Sequence, residues 1–151
     1  LETGVVTGKM PYPLLEITSR TSPKGISYFN YHNMNLMEFA SDNYFRIHSE
    51  FIFNGILFNH IPLIKHLNLR EVIPFNIATG ELTGRHWDVL DRPDPALYPL
   101  YMKDMKNPYL EASFGITNIL RIFRVQLNWR ITNIYEGINP LGFSAGVRFG
   151  F

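Results

Sequence analysis

Cysteine is absent from the 151 residues, which excludes disulfides, thiolate metal centres and cysteine nucleophiles together. Charge of either sign is scarce: Lys, Arg, Asp and Glu make up 18% of the chain and leave a formal charge of +1. So neutral a surface offers no phosphate footprint, and no nucleic acid is expected among the partners. No apolar run reaches the roughly 18 residues that a membrane-spanning helix needs. The oiliest stretches, 51–58 and 60–69, are broken by Asn, His, Pro and Lys. GxGxxG, HExxH and GxSxG patterns are missing. The stretch Gly4-Val-Val-Thr-Gly8-Lys9 is one residue short of a phosphate loop, and Met10 stands where that loop needs Ser or Thr.

What is plentiful is apolar and aromatic side chain, 46% and 15% of residues, and it alternates with a period of two. Alternation sends successive side chains to opposite faces of a strand. In 123–131 the odd positions are Phe123, Val125, Leu127, Trp129 and Ile131, and the even ones Arg124, Gln126, Asn128 and Arg130. In 44–53, Phe45, Ile47, Phe51 and Phe53 oppose Arg46, His48 and Glu50, with Ser49 the one polar break. At the end of the chain Phe143, Ala145, Val147, Phe149 and Phe151 oppose Ser144, Gly146, Arg148 and Gly150. Weaker alternation marks 109–116, where Glu111 and Ser113 oppose Leu110, Ala112, Phe114 and Ile116, and 71–79, where Pro74 removes a ladder donor. With 1–9 and 33–40 these segments make about seven strands; 61–69 alone reads as a short helical turn or two.

The clearest segments have the length of a transmembrane strand, about 9–11 residues, and aromatics gather near strand ends as interfacial girdles require. The expected fold class is therefore all-β, a C-terminal segment of an antiparallel transmembrane β-barrel occupying residues 1–151. Seven strands fall short of the roughly eight of the smallest bacterial barrels, and the chain opens at Leu1 without a leader. Strands upstream of this chain are expected to complete it. Phe45, Ile47, Phe51, Phe123, Val125, Leu127, Trp129 and Ile131 are expected to face lipid. Arg46, His48, Glu50, Glu111, Arg124, Gln126, Asn128, Arg130 and Arg148 are expected to face the lumen, because a charge on the lipid face costs about 2–4 kcal/mol near the midplane. Residues 41–43 read as a tight turn and 117–121 as a short one. A periplasmic C-terminus then puts 80–108 and 133–141 outside the cell and 54–70 in the periplasm.

Four separated blocks, Gly8-Lys-Met-Pro-Tyr-Pro-Leu-Leu-Glu-Ile17, Asn35-Leu-Met-Glu-Phe-Ala-Ser-Asp42, Phe53-Asn-Gly-Ile-Leu-Phe-Asn-His-Ile-Pro-Leu-Ile-Lys-His-Leu-Asn-Leu-Arg-Glu-Val72 and Gly146-Val-Arg-Phe-Gly-Phe151, together resemble the C-terminal barrel of the DUF5686 family. The resemblance implies an outer-membrane protein of Bacteroidota, often preceded by a carboxypeptidase-regulatory-like domain. That family is distantly similar to the Omp85 barrels, which insert or translocate other proteins. Val147, Phe149 and Phe151 resemble the terminal signal by which barrels are recognised for assembly, and an edge strand gives such recognition a physical route.

These readings point to a non-enzymatic protein of the bacterial outer membrane, serving as anchor, pore or part of an envelope-assembly complex. Its expected partners are outer-membrane lipid, the barrel-assembly machinery and other envelope proteins, with no cofactor. Five histidines, at 32, 48, 60, 66 and 86, lack ligand spacing. His86, Asp88, Asp91, Asp94 and Asp104 form an oxygen-rich set without an EF-hand pattern, and read as a solvated loop in which Trp87, Tyr98 and Tyr101 can meet a partner. Two alternatives stand beside this: a membrane-embedded hydrolase at the barrel rim using His48 and Glu50, and a soluble β-sandwich binding module, whose strands also alternate.

Overall fold

A computed structural model describes residues 1–7, 16–18, 31–35, 38–81, 105 and 107–147. The described chain is all-β. Its eight strands are β1 (Glu2–Val5), β2 (Glu16–Thr18), β3 (Phe39–Ser41), β4 (Asn43–Phe53), β5 (Arg70–Glu81), β6 (Tyr109–Ile119), β7 (Phe123–Arg130) and β8 (Leu141–Val147). Six form one antiparallel sheet in the order β1-β4-β5-β6-β7-β8, and β2 pairs with β3 in a second, two-stranded sheet. From β4 to β8 every neighbour in space is a neighbour in sequence, which is the meander of an up-and-down barrel wall. The sheet stays open in this chain, with β1 and β8 as its edges.

Residues 41–43 do not make the tight turn expected of them. β3 and β4 are two halves of one path kinked at Asp42, with β2 paired along the first half and β1 along the second. The Val6 amide donates to the Asp42 carbonyl (2.6 Å) and the Asp42 amide to the Glu81 carbonyl (3.0 Å), so the kink keeps partners on both sides. The strand expected over 33–40 also contracts. Only Phe39 and Ala40 of it are extended into a ladder, while residues 32–34 bend. β2 is too short for alternation to reveal it.

Pro74 is tolerated inside β5 because the ladder gives way around it. β5 pairs with β6 at Val72 and again at Phe75, with no pairing between, whereas on the β4 side Glu50 faces Pro74 in unbroken register. At the far end of β6 the register shifts between Ile116 and Ile119, around Asn118 at φ 68°. Leu120 (φ 49°) and Arg121 (φ 72°) then both adopt left-handed backbone, and the Ile122 amide donates to the Ile119 carbonyl (3.2 Å). Two positive φ values at the central positions are the mark of a type I′ hairpin turn. The 61–69 segment holds a single 3₁₀ turn, Lys65–Leu67, preceded by another at Phe58–His60.

Register sorts the sheet into two unlike faces. On one lie Phe45, Ile47 and Phe51 of β4, Ile73, Phe75 and Ile77 of β5, Leu110, Phe114 and Ile116 of β6, Phe123, Val125, Leu127 and Trp129 of β7, and Leu141, Phe143 and Val147 of β8. This face is bare: Trp129 is 59% exposed and Phe143 72%. The other carries Arg46, His48, Glu50, Asn76, Glu111, Ser113, Arg124, Gln126, Asn128 and Arg130, and it is the covered one, with Glu111 and Arg130 at 0% exposure. A soluble sheet has the opposite arrangement, apolar side in and polar side out.

Candidate functional site

The covered polar face is the site. Tyr31–Asn35 and Glu38, which run into β3, lie across it, and their backbone and side chains bond to the strands beneath. The amides of His32 (3.0 Å to one oxygen, 3.1 Å to the other) and Asn33 (2.9 Å) donate to the Glu111 carboxylate. The Asn33 side-chain amide donates to the Asn128 carbonyl (2.9 Å) and the Pro140 carbonyl (3.0 Å). The Tyr31 hydroxyl donates to the Ile77 carbonyl (3.2 Å). An irregular segment carries unpaired backbone groups, and burial is tolerable only where side chains satisfy them. Here Glu111 and Asn128 do so.

At one end of the site Arg130 and Glu38 form a buried ion pair. Arg130 Nη2 donates to Glu38 Oε1 (2.6 Å) and Nη1 to Oε2 (3.0 Å). The rest of the guanidinium donates to the carbonyls of Asn33 (3.1 Å), Thr132 (3.1 Å) and Asn133 (2.5 Å). All five of its N–H groups are thereby used, which is the complete donor inventory of an arginine. The guanidinium carbon also lies 5.0 Å from the centre of the Tyr109 ring, within cation–π range. Register sets Glu111 directly opposite Arg130, the pairing that cross-strand logic favours. Instead, Glu111 binds the amides of the covering segment, together with the Tyr109 hydroxyl (2.8 Å), and Arg130 turns to Glu38.

The remaining inner side chains form a connected polar ladder. Arg124 donates to Glu50 (2.6 Å) and to Gln126 Oε1 (2.9 Å). The Gln126 amide nitrogen donates to Asn128 Oδ1 (2.9 Å) and lies 2.6 Å from His32 Nε2. Asn128 also accepts from Ser113 (2.8 Å) and donates to Ser144 (2.9 Å). His48 Nδ1 meets Asn76 Oδ1 at 3.2 Å, and Arg46 donates to Thr18 (2.7 Å) and pairs with Glu2 (3.5 Å). The charged members of the cluster are engaged: Arg46 with Glu2, Arg124 with Glu50 and Arg130 with Glu38, while Glu111 is held by backbone amides and the Tyr109 hydroxyl. Such a network holds a backbone in place; it presents no isolated nucleophile with a base beside it. Among the described residues no three His, Asp or Glu side chains converge on a metal position.

The structure brings Glu50, Glu111, Arg124, Gln126, Asn128 and Arg130 into one bonded face, with His48 joined through Asn76. Arg46 sits on the same face nearer β1. The eight apolar residues named from alternation fall elsewhere: Phe45, Phe51, Phe123, Leu127, Trp129 and Ile131 are exposed, and Ile47 and Val125 are half-buried on the same side. Ser49, the polar break there, donates its hydroxyl to the carbonyl of Phe75, its cross-strand neighbour (2.9 Å). Val147 lies at the end of edge strand β8. Arg148, Phe149 and Phe151 lie outside the described residues, as do His86, Trp87, Asp88, Asp91, Asp94, Tyr98, Tyr101 and Asp104. Glu38, Tyr31, Asn33 and Asn76 are not singled out by the sequence; His32 enters there only as one of five histidines without ligand spacing, and Tyr109 only as an aromatic near a strand end, whereas it is fully buried. A glutamate inside the apolar run Leu36–Ala40 was the available signal for Glu38, since a lone carboxylate there demands a buried cation.

Comparison with known families adds one match. The sequence profile described as the C-terminal domain of a family of unknown function, DUF5686, covers residues 19–89. Residues 19–89 are thus similar to a DUF5686 C-terminal domain. The match takes in the covering segment, β3, β4, the β4–β5 connection and β5, and so includes Glu38 and the strands that carry Arg46, His48, Glu50 and Asn76. No curated protein and no solved structure matches the chain. The fold described here thus rests on its own geometry, an open antiparallel sheet consistent with a barrel segment.

Proposed function

We propose that this chain is a membrane-spanning wall of a bacterial outer-membrane β-barrel, closed by strands outside it, and that it is a non-enzymatic anchor or a component of an envelope-assembly complex. The observation that carries the reading is the reversed sidedness of the sheet. An apolar face of this size, left bare beside a satisfied ionic interior, is stable against hydrocarbon and costly against water. Strand length agrees: β4, β5 and β6 have 11, 12 and 11 residues. Eleven residues at about 3.4 Å and a tilt of about 45° rise about 26 Å, the height of a barrel's apolar band.

Of the three non-enzymatic roles, an open pore is the least favoured, because Tyr31–Asn35 and Glu38 occupy the polar face where channel water would run. The hydrolase alternative places His48 and Glu50 in catalysis. Their contacts with Asn76 and Arg124 are those of wall-bracing groups. A soluble sandwich needs a second protein layer over Trp129, Leu127 and Phe143. On this reading the partners are outer-membrane lipid and the assembly machinery that receives the terminal strand, with the Bacteroidota outer membrane and an Omp85-like ancestry as its setting.

Two measurements test it together. The intact protein should fractionate with the outer membrane and migrate differently on gels before and after heating. In refolding into lipid vesicles, Leu127→Lys should cost about 2–4 kcal/mol, while Gly146→Lys, on the opposite face where an added Cβ meets nothing within 4 Å, should cost less than about 1 kcal/mol. Recovery in a soluble fraction, or equal tolerance of lysine on both faces, would overturn the reading.

A further inference from the structure

Charge is nearly absent from the apolar face, with one conspicuous placement. Glu71 sits at the rim of that face, opposite Phe53 on β4 and Ile116 on β6, yet it is only 2% exposed. What covers it is the β4–β5 connection, residues 54–69. The amides of Leu57 (2.8 Å) and Phe58 (2.9 Å) donate to Glu71 Oε1. Gly55, at φ +76°, supplies the reversal that brings them there. The connection is therefore pulled down over the outer rim of the sheet.

It is also held at its other end. Asn118, in the bulge of β6, donates its side-chain amide to the Asn68 carbonyl (2.7 Å). Between the two ties run short-range backbone bonds, Asn59 to Gly55 (2.9 Å), Ile64 to Ile61 (3.0 Å) and Leu67 to Ile64 (2.9 Å). A segment so tied presents a fixed set of side chains. They are Ile56, Leu57, Ile61, Leu63 and Leu67, all exposed, with Leu63 at 88%. Interleaved are exposed Lys65 and His66, with His60 before them and Arg70 after. Residues 54–70 contain no acidic side chain.

We infer that this connection is an interfacial collar: it lies in the anionic phospholipid headgroups at one end of the barrel, apolar side chains down and Lys65 and Arg70 toward phosphate. The inference rests on the membrane reading above and deepens it. Two features select lipid over a protein partner. The exposed apolar side chains adjoin the bare face of the sheet at its rim, where Phe51 and Ile73 are the next pair inward from Phe53 and the covered Glu71. The charges are all of the sign that an anionic leaflet attracts, and basic residues interleaved with large apolar ones are the composition of segments that lie in a membrane surface.

The test uses the intact protein in vesicles of phosphatidylethanolamine and phosphatidylglycerol. This chain has no cysteine, so with any cysteines outside it replaced, single spin labels can be placed at Leu63→Cys, Leu67→Cys and Leu127→Cys, and their depth read from collision with oxygen and with a water-soluble nickel complex. Labels at 63 and 67 should lie about 5–10 Å below the phosphates, and the label at 127 deeper in hydrocarbon. Lys65→Glu with Arg70→Glu should lift labels 63 and 67 toward water and leave 127 unmoved, and the lift should shrink in phosphatidylcholine alone. A label at 127 in hydrocarbon with 63 and 67 in water overturns the collar and spares the membrane reading. A label at 127 in water overturns both. Shielding of 63 in native membranes but not in protein-free vesicles assigns the collar to a protein partner and sinks this inference.

Discussion

Removing Arg130 should be the most damaging single change inside the barrel wall, and its cost can be worked from the structure. Arg130 and Glu38 are 0% and 2% exposed, and the pair is bidentate at 2.6 and 3.0 Å. Arg130→Met keeps much of the side-chain volume but leaves the Glu38 carboxylate buried, with the Asn35 amide (2.7 Å) as its remaining donor among the described residues. It also leaves three carbonyls, at 33, 132 and 133, without their donor. Breaking a buried pair from one side costs about 3–5 kcal/mol, whereas replacing both partners by apolar groups is often close to neutral. Glu38→Leu alone strands the guanidinium, though three carbonyls still solvate it, so it should cost about 2–3 kcal/mol. The double variant should then fall short of the sum of the singles by about 2 kcal/mol or more. Urea titration of the intact protein in short-chain lipid vesicles, read by tryptophan fluorescence and gel mobility, measures all four corners of this cycle. Strict additivity, or a loss under about 1 kcal/mol for Arg130→Met, would refute the argument, because it would mean that water reaches both charges.

Glu111→Gln removes the charge and replaces one of the two oxygens that accept from the His32 and Asn33 amides by an NH2 donor, and hydrogen bonds to a charged group are worth about 1.5–3 kcal/mol; amide exchange at His32 and Asn33 should accelerate at least tenfold while β6 and β7 stay protected. Gly115→Ala would put a Cβ 2.7 Å from both the Gln126 Cβ and the Val125 carbonyl, so it should cost about 1–3 kcal/mol, whereas Gly146→Ala meets nothing within 4 Å and should be neutral in the same titration. The type I′ turn at Leu120 and Arg121 lacks the residues such turns favour; Leu120→Asn with Arg121→Gly should stabilise the hairpin by about 1 kcal/mol, and a loss instead would show that those side chains hold the rim in some other way.

How much of this could be read from the residues depends on which physical signal each feature leaves. β4, β7 and β8 left a strong one, since a bare apolar face and a satisfied ionic face force every second residue to differ, and 123–130 shows this without exception; β5, interrupted by Pro74, and β6 left a weaker one. Ser49 breaks the pattern and is explained by a bond to its own neighbour strand, which no periodicity can anticipate. Segment 33–40 misled because Met34, Phe39 and Ala40 are buried as strand residues are, but Met34 is buried by packing on Tyr31, Tyr109 and Ala78 in a small apolar cluster rather than by a ladder. Burial alone cannot tell the two apart; the backbone partners can.

The site itself was half legible for the same reason. Side chains projecting from regular strands declare their face by parity, so Arg124, Gln126, Asn128 and Arg130 could be grouped from sequence. A covering segment has no parity to declare. What it leaves instead is an imbalance: parity puts the basic side chains of Arg46, Arg124 and Arg130 on the inner face, and an interior of low dielectric does not tolerate an uncompensated charge. Arg124 takes Glu50, Arg46 reaches Glu2 on β1, and Glu111 is held by backbone amides, so the acid for Arg130 had to come from outside the ladder. Glu38, set among apolar neighbours where solvent could not reach it, was the residue able to close the account. The same reasoning run on the outer face finds Glu71, a carboxylate where lipid or water would each be unfavourable. There the compensating donors are backbone amides, which no charge tally contains, and so the fold of the β4–β5 connection over the rim was visible only in the structure.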